Sequence, residues 1–341
     1  MEIITYTNEY ESEYNDYTRR VPNILFFYSI QYINVLTKLL NAKNETMLAI
    51  ENNKIIGVLP LLSKNGQYGK VLNSLPFYGS NGFIIANNEI VYDLILEKYN
   101  ILVNSNSVFS STIVTNPLIE LNNLDASIVH NYKDYRIGQF TNFQSDCQDL
   151  MDMFHYKTRN MIRKALKSDI EVFIDNNRFD FLEKVHYENM QEIGGKAKNN
   201  SFFSLVQKDF IAGIDYNIYI AKKDGIMISA LLLFYFNETV EYYTPVVKVE
   251  YRGLQPLSAI IYTAMQDAIC NGFKRWNWGG TWATQDGVYR FKKRWGTEDI
   301  NYHYYTQLNY DKSKLSKDVL LKEYEYFYTL PFNELEQGEL L

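Results

Sequence analysis

A lysine lies among apolar residues on one face of a helix predicted for residues 286–295. At about 100° per residue, Val288, Phe291 and Trp295 share one stripe, and Lys292 falls within it. A buried ammonium group costs free energy unless it pairs with a carboxylate or binds an anion. The sequence leaves two interpretations of Lys292: its stem packs while the ammonium reaches water or a carboxylate, or it holds an anionic group of a ligand.

A strongly basic helix, predicted for residues 156–167, is the second candidate. Its inner face carries apolar residues such as Ile162, and its outer face carries lysines and arginines. Lys157 and Arg159 lie at the amino end, where a cation opposes the helix dipole. An anion bound between them would remove this cost. The pattern indicates phosphate or carboxylate binding, with a merely solvated charged face as the alternative.

A strand predicted for residues 240–245 is the third candidate. Alternation places Glu241 and Tyr243 on one face and Tyr242 on the other. A carboxylate and a phenol beside a cleft can serve as base and acid toward an amine; an ordinary surface position for Glu241 is the alternative. The four histidines have no metal-ligand spacing and neither cysteine lies in an activating motif. We therefore expect neither a metal site nor covalent catalysis.

Composition excludes several classes of protein. The 341 residues are 46% hydrophobic and 22% charged, which is typical of a folded chain rather than a disordered or coiled-coil one. The net charge of −6 gives no general attraction to DNA or to membranes, so any anion-binding surface must be local. No apolar run approaches the roughly 18 residues of a membrane span, and the acidic amino end lacks the pattern of a secretory signal. With only Cys147 and Cys270, we expect a reducing, cytoplasmic location.

The elements that must position these residues fall into two similar halves. One hairpin is predicted for residues 47–62 and another for residues 218–236. The two align without a gap at an offset of 172 residues, which places Ala49 on Ala221. Helical and strand patterns alternate in both halves, and one helix begins at Pro256. The pattern predicts an α/β fold.

Two motifs resemble those of the Fem-type peptidyltransferases and of the related BioF2-like acetyltransferases. They are Lys157-x-Arg159-x-x-x-Arg163-Lys164-Ala165, and Trp276-Asn277-Trp278-Gly279 followed by Gly287-x-Tyr289-x-Phe291-Lys292-x-x-Trp295-Gly296. The resemblance covers most of residues 143–300. In the amino half it rests on Leu75-Pro76-Phe77-Tyr78-Gly79 alone.

The resemblance implies a fold with two tandem domains of the GNAT acetyltransferase type. Each would be a mixed, mainly antiparallel sheet flanked by helices. On this basis we expect an amino-terminal GNAT-like domain at residues 1–145 and a catalytic GNAT-type domain at 146–312. An acidic helical tail would follow at residues 313–341.

The resemblance also implies roles for single residues. Lys292 matches a lysine held near the developing negative charge, while Arg159 and Arg163 match a basic helix that meets substrate phosphate. Further substrate-binding positions are Tyr78, Asn277 and Gly279, and the donor-binding positions are Arg252, Gly253, Gln255 and Leu257. Gln255 and Leu257 replace glycines of the GNAT phosphate turn, although the helix that starts at Pro256 still offers free N–H groups to an anion.

These observations predict an acyltransferase with Lys292, Glu241 and Tyr243 as its catalytic residues. We expect it to move an acyl group such as acetyl from acyl-CoA to an amino group of a phosphate-bearing small molecule, for example a nucleotide-linked amino sugar in cell-surface glycan synthesis. Acetyl-CoA would be a cosubstrate, without a resident cofactor. One alternative is an aminoacyl-tRNA-dependent peptidyltransferase acting on a cell-wall precursor, the only case with tRNA as a partner. The other is a binding-only protein that has lost donor recognition.

Overall fold

The chain forms two compact units in a computed structural model that describes residues 1–105, 107–119, 124–144, 150–282 and 284–336. The first unit contains residues 1–136 and the chain from residue 301 onward, and the second contains residues 137–300. The second unit is therefore an insertion within the sequence of the first.

Strands and helices alternate along the described chain. The strands are β1 (Glu2–Thr5), β2 (Lys43–Asn44), β3 (Met47–Glu51), β4 (Lys54–Leu59), β5 (Leu62–Gly66), β6 (Gly69–Asn73), β7 (Ile85–Ala86), β8 (Val108–Val114), β9 (Tyr132–Asn142), β10 (Glu171–Ile174), β11 (Tyr216–Lys223), β12 (Ile226–Phe236), β13 (Thr239–Val247), β14 (Arg275–Thr281) and β15 (Glu298–Leu308). The helices are α1 (Glu11–Arg20), α2 (Ile30–Leu40), α3 (Glu89–Val103), α4 (Leu124–Ser127), α5 (Tyr156–Leu166), α6 (Phe179–Glu192), α7 (Asn200–Asp209), α8 (Pro256–Cys270), α9 (Asp286–Lys293), α10 (Lys317–Glu323) and α11 (Asn333–Glu336).

The first unit contains strands in the order β1-β3-β4-β7 and strands in the order β2-β5-β6-β8-β15. Helix α3 packs on them and buries Ile95 and Tyr99 in the core. The end of the chain packs into the same unit: the Tyr328 N–H donates to Asn73 Oδ1 (2.7 Å), and the Asn73 amide donates back to the Tyr328 carbonyl (2.9 Å). The carboxy-terminal residues thus complete the first unit.

The second unit is one sheet in the order β10-β11-β12-β13-β14-β9, antiparallel except for the parallel pair β13 and β14. Helices α5 and α8 cover one face, where Ile162, Ile260 and Trp278 belong to one buried core. Helices α6 and α7 cover the other face, where Phe202 stacks on Tyr243 with ring centroids 5.6 Å apart. Both faces of the sheet are therefore covered, as an α/β fold requires.

Both predicted hairpins are present, and they share a detail of register. Ala49 pairs with Gly57 and Ala221 pairs with Ser229, which are equivalent positions 172 residues apart. A register irregularity follows directly after Ala49 and after Ala221. The common offset therefore reflects two supersecondary units with the same internal geometry.

Several elements differ from the sequence-based expectations. The compact units divide at residues 136/137 and 300/301, whereas the expected domains divided at 145/146 and 312/313. The reason is that β15 pairs with β8, which brings the last part of the chain into the first unit. The expected boundary at 145/146 lies outside the described residues. Val288, predicted on the buried stripe of α9, is 44% exposed, because the buried side of this short helix is formed by Phe291 and Lys292.

Gly296 ends the turn after α9 and allows a stability prediction. Its φ is +73°, and a Cβ there would lie 2.7 Å from the backbone oxygen of Met153. We expect Gly296→Ala to lower the free energy of unfolding by about 1–3 kcal/mol in urea titrations. Gly287→Ala is the matched control, because its Cβ meets nothing within 4 Å and alanine favours a helix. Equal stability of the two variants would contradict this interpretation.

Candidate active site

The two parallel strands of the second unit pair over a short stretch and then stop. Three residues pair, from Thr239 with Arg275 to Glu241 with Asn277, although β13 continues to Val247 and β14 to Thr281. In the first unit, the parallel strands β6 and β8 pair from Lys70 with Val108 to Asn73 with Thr112, which is where β6 ends. The facing edges of β13 and β14 are therefore unpaired with each other beyond Glu241 and Asn277.

Glu241 and Asn277 mark the end of this pairing. Glu241 is 2% exposed, and its Oε2 accepts a hydrogen bond of 2.7 Å from the Asn277 amide. The Asn277 Oδ1 in turn accepts the Gly279 N–H at 2.9 Å, and Gly279 has a φ of +72°. Burial raises the pKa of Glu241 to about 8, against the opposing effects of Asn277 and Lys292. The carboxyl group is therefore mostly protonated at neutral pH.

Lys292 is 7% exposed and lies on the other side of the same backbone turn. Its ammonium donates to the carbonyls of Gly279 and Gly280, both at 3.1 Å, and to Thr281 Oγ1 at 2.9 Å. Burial lowers the pKa of Lys292 to about 8, while the charge of Glu241 opposes the shift. Because an ammonium has three N–H donors, this conformation uses all of them.

The strand β14 is irregular at this point. Its register with β9 shifts between Asn277 and Gly280, so Trp278 and Gly279 together oppose Gln139. The buried Gln139 accepts a hydrogen bond from the Thr281 hydroxyl at 3.2 Å. Glu241, Asn277 and Lys292 thus fix the backbone from Asn277 to Thr281 from both sides.

This arrangement brings an acid-base group and a cation close to one segment of backbone. In its ionised form, a carboxyl group with a pKa of about 8 can accept a proton from an amine. An oxyanion is a stronger acceptor than a neutral carbonyl, so the Lys292 ammonium can exchange one of its present partners for a developing negative charge. The geometry therefore fits a reaction in which negative charge develops on an oxygen.

Tyr243 lies on the same face as Glu241. Phe234 pairs with Glu241 in register, and its ring meets the ring of Tyr243 with centroids 5.0 Å apart. The register of β12 and β13 passes from Tyr242 to Thr244, which leaves Tyr243 in a bulge. Tyr242 is on the opposite face and packs on Trp278 at 4.9 Å. The predicted alternation of these side chains is confirmed; the catalytic role of Tyr243 stays a prediction.

The predicted donor-binding residues surround the start of α8. Arg252 forms a bidentate ion pair with Glu192 on α6. Gly253 is exposed with open space around it, and Gln255 adopts a left-handed conformation directly before the helix. Leu257 is half-buried against the core. The amino end of α8 therefore follows an exposed turn, and an anionic donor would compete with Glu192 for Arg252.

The remaining predicted residues lie elsewhere. Arg159 and Arg163 are on α5, half-buried and exposed respectively, and the Arg163 guanidinium approaches Asn160 Oδ1 at 3.4 Å. Tyr78 belongs to the first unit, where its ring meets those of Phe77 and Tyr326. Sequence reasoning missed Gln139 and Thr281, which have no local motif that would reveal them.

The fold has known counterparts among solved structures. FemX superposes with a TM-score of 0.69 and 16% identity over 89% of this chain and 97% of that one. A conserved protein of unknown function from Bacteroides thetaiotaomicron gives 0.60 and 11% over 91% and 100%. A tandem GNAT protein from the clavulanic acid biosynthesis pathway gives 0.51 and 8% over 91% and 99%. The chain therefore has a tandem GNAT-like fold, as its sequence predicts.

Residues 208–303 match the model of the FemAB family. This segment includes β13, β14, α8 and α9, which carry Glu241, Asn277 and Lys292. The match confirms the Fem-type resemblance for that part of the chain. No curated protein matches the sequence. Within the described ranges, no helix is long and apolar enough to cross a membrane.

The raised pKa of Glu241 predicts that the stability of the protein depends on pH. Its pKa is about 8 in the folded protein and 4.5 ordinarily, so folding takes up a proton between these values. Its contribution to the free energy of unfolding is complete below pH 4.5 and is lost as the pH rises toward 8. Between pH 5 and 7.5, we expect Glu241→Gln to gain stability relative to wild type by roughly 1 kcal/mol per pH unit in urea titrations. If the free energies of unfolding of wild type and Glu241→Gln changed in parallel with pH, the pKa of Glu241 would not be raised by folding.

Removal of the buried Lys292 ammonium leads to a second prediction about stability. Lys292→Met leaves two carbonyls and the buried Thr281 hydroxyl without their donor. We expect the free energy of unfolding to fall by about 2–4 kcal/mol. Lys293→Met is the control, because its side chain is 45% exposed, and it should change stability by less than about 1 kcal/mol. A fully stable Lys292→Met protein would contradict the structural role of the ammonium.

Proposed function

We propose that the protein transfers an acyl group from acyl-CoA to an amino group of a phosphate-bearing acceptor. The observation that carries this proposal is the end of strand pairing at Glu241 and Asn277, with Lys292 beside it. Unpaired edges of β13 and β14 offer amide partners to an extended, amide-containing donor such as the pantetheine arm of coenzyme A. The amino end of α8 would receive its phosphates.

In the proposed reaction, the acceptor nitrogen attacks the thioester carbonyl carbon. A C–N bond forms, the C–S bond breaks, and the sulfur leaves as the coenzyme thiolate. Glu241 in its ionised form takes the proton that the nitrogen loses, and the thiolate is protonated by Tyr243 or solvent. The Lys292 ammonium stabilises the negatively charged oxygen of the tetrahedral intermediate. To do so, it gives up its hydrogen bond to one of its three neutral acceptors.

The basic helix α5 is proposed to hold the acceptor. Arg159 and Arg163 would bind its phosphate, and Asn277 and Gly279 are further substrate-binding positions of the second unit. A nucleotide-linked amino sugar of cell-surface glycan synthesis combines the required amine and phosphate. Arginine suits this task because its planar guanidinium binds two phosphate oxygens at once.

A second candidate function uses aminoacyl-tRNA as the donor and a cell-wall precursor as the acceptor. Three observations favour it, and the first two are the FemAB match over residues 208–303 and the ion pair that occupies Arg252 at the donor turn. The Gln255 and Leu257 positions also lack the glycines of a GNAT phosphate turn. The same acyl-transfer chemistry at Glu241 and Lys292 would serve this donor.

Calorimetric titration with acetyl-CoA tests the donor. We expect one binding site in the wild-type protein. Gly253→Asp should weaken binding at least about tenfold, because it adds an anion beside the phosphates, whereas Gly253→Ala should bind normally since its Cβ meets open space. Mass spectrometry should show acetylation of an amino sugar nucleotide in the same mixture.

The outcomes separate the candidates. Absence of heat with acetyl-CoA, together with binding of aminoacyl-tRNA, would replace the acyl-CoA proposal with the second candidate. Binding of acetyl-CoA without transfer to any amine in an amino sugar panel would support the binding-only alternative. Equal affinity of the two Gly253 variants would show that the α8 start does not receive the phosphates.

A further inference from the structure

One position on the edge of β13 that faces β14 is occupied by a side chain. The Lys248 N–H donates to the carbonyl of Ile228 on β12 at 2.9 Å, and successive residues of an antiparallel strand direct their backbone groups to opposite sides. The N–H and carbonyl of Val247 therefore point away from β12. The Asn189 amide on α6 donates to this carbonyl at 2.9 Å, and Asn189 Oδ1 accepts this N–H at 3.0 Å.

Val247 carries an important backbone donor of this edge. By the same alternation, Pro245 is the other residue of 244–247 whose backbone groups point away from β12. Proline has no N–H, so Val247 supplies the one amide N–H that residues 244–247 direct to this edge. An asparagine side chain carries both a carbonyl and N–H donors. Asn189 therefore binds Val247 in the way that an amide of an extended ligand would.

A second contact lies one helical turn further along α6. Glu192 follows Asn189 by three residues, so the two side chains are neighbours on the same side of the helix. The Glu192 carboxylate forms the bidentate ion pair with Arg252, at the turn proposed to receive the donor phosphates. The end of α6 thus places an amide on β13 and a carboxylate on the donor turn.

These two groups resemble the two parts of acyl-CoA that would bind there. The pantetheine arm carries amides, and the phosphates carry the negative charge. Along the chain, Glu241, Val247 and Arg252 follow one another in the order in which the thioester, the amide arm and the phosphates follow along acyl-CoA. The side chains of α6 therefore match the proposed donor in both chemistry and order.

We propose that Asn189 and Glu192 occupy the donor site as mimics of acyl-CoA and set its affinity and selectivity. This inference rests on the proposed use of acyl-CoA. The pantetheine arm displaces the Asn189 amide from Val247, and the phosphates displace Glu192 from Arg252. Because the free protein already fills these partners itself, the apparent affinity for the donor is lowered. A donor that lacks one part leaves one mimic in place, so the site selects the complete coenzyme thioester.

Calorimetric titration of the full-length protein with acetyl-CoA tests the inference. Asn189→Ala should bind acetyl-CoA about tenfold more tightly than wild type, because Val247 then starts without its partner. Glu192→Gln should bind it at least about threefold more tightly, since Arg252 is freed and a negative charge beside the phosphates is removed. Glu192→Gln changes an exposed ion pair, and it keeps the test valid if Asn189→Ala is unstable.

A shorter donor analogue separates the two mimics. S-acetylpantetheine has the amide arm but no phosphates, so its affinity should rise in Asn189→Ala and stay at the wild-type level in Glu192→Gln. The matched controls are Gln191→Ala and Glu188→Gln, at exposed positions of the same helix, and both should bind acetyl-CoA like wild type.

Hydrogen exchange at the Val247 amide provides a readout that does not depend on affinity. Exchange should be slow in wild type, fast in free Asn189→Ala, and slow again when acetyl-CoA occupies that variant. If wild type binds acetyl-CoA and Asn189→Ala binds it no more tightly, or if exchange in the bound variant stays fast, this inference is wrong and the donor proposal stands. Absence of acetyl-CoA binding by wild type and both variants would overturn the donor proposal and this inference with it.

Discussion

The Lys292 ammonium and its three acceptors form the interaction on which the second unit depends. By binding the carbonyls of Gly279 and Gly280 and the Thr281 hydroxyl, it holds the irregular end of β14 in place. On the other side, Asn277 Oδ1 accepts the Gly279 N–H, and Glu241 accepts a hydrogen bond from the Asn277 amide. Contacts on both sides of this backbone segment therefore fix its conformation.

The two units contain similar hairpins but differ in the pairing of their parallel strands. Residues 70–73 of the first unit remain paired with β8, and their polar groups are satisfied within the fold. The segment that ends the chain then adds hydrogen bonds to Asn73. In the second unit, the facing backbone groups of β13 and β14 beyond Glu241 and Asn277 are not paired with one another.

Local sequence patterns predicted much of this fold because hairpin turns and helix boundaries are encoded by adjacent residues. The position of Lys292 on an apolar helix face was visible for the same reason. Contacts between residues far apart in the sequence were not visible: Thr281 donates to Gln139, 142 residues away, and Arg252 pairs with Glu192, 60 residues away. The pairing of Asn73 with Tyr328 spans 255 residues, so the acidic tail looked detached in the sequence. Such contacts depend on strand order, which periodicity does not specify.

The return of the chain to its first unit has a consequence for biosynthesis. The hydroxyl of Thr112 on β8 can hydrogen-bond to the hydroxyl of Thr306 on β15 only after the residues between them have been synthesised. At about 5–20 residues per second, a ribosome needs roughly 10–40 s for that interval. The inserted unit is contiguous and can fold during this time, while the unit whose synthesis began first keeps an unpaired strand edge exposed. The pairing of β8 with β15 in the first unit is therefore possible only after the whole inserted unit has been synthesised.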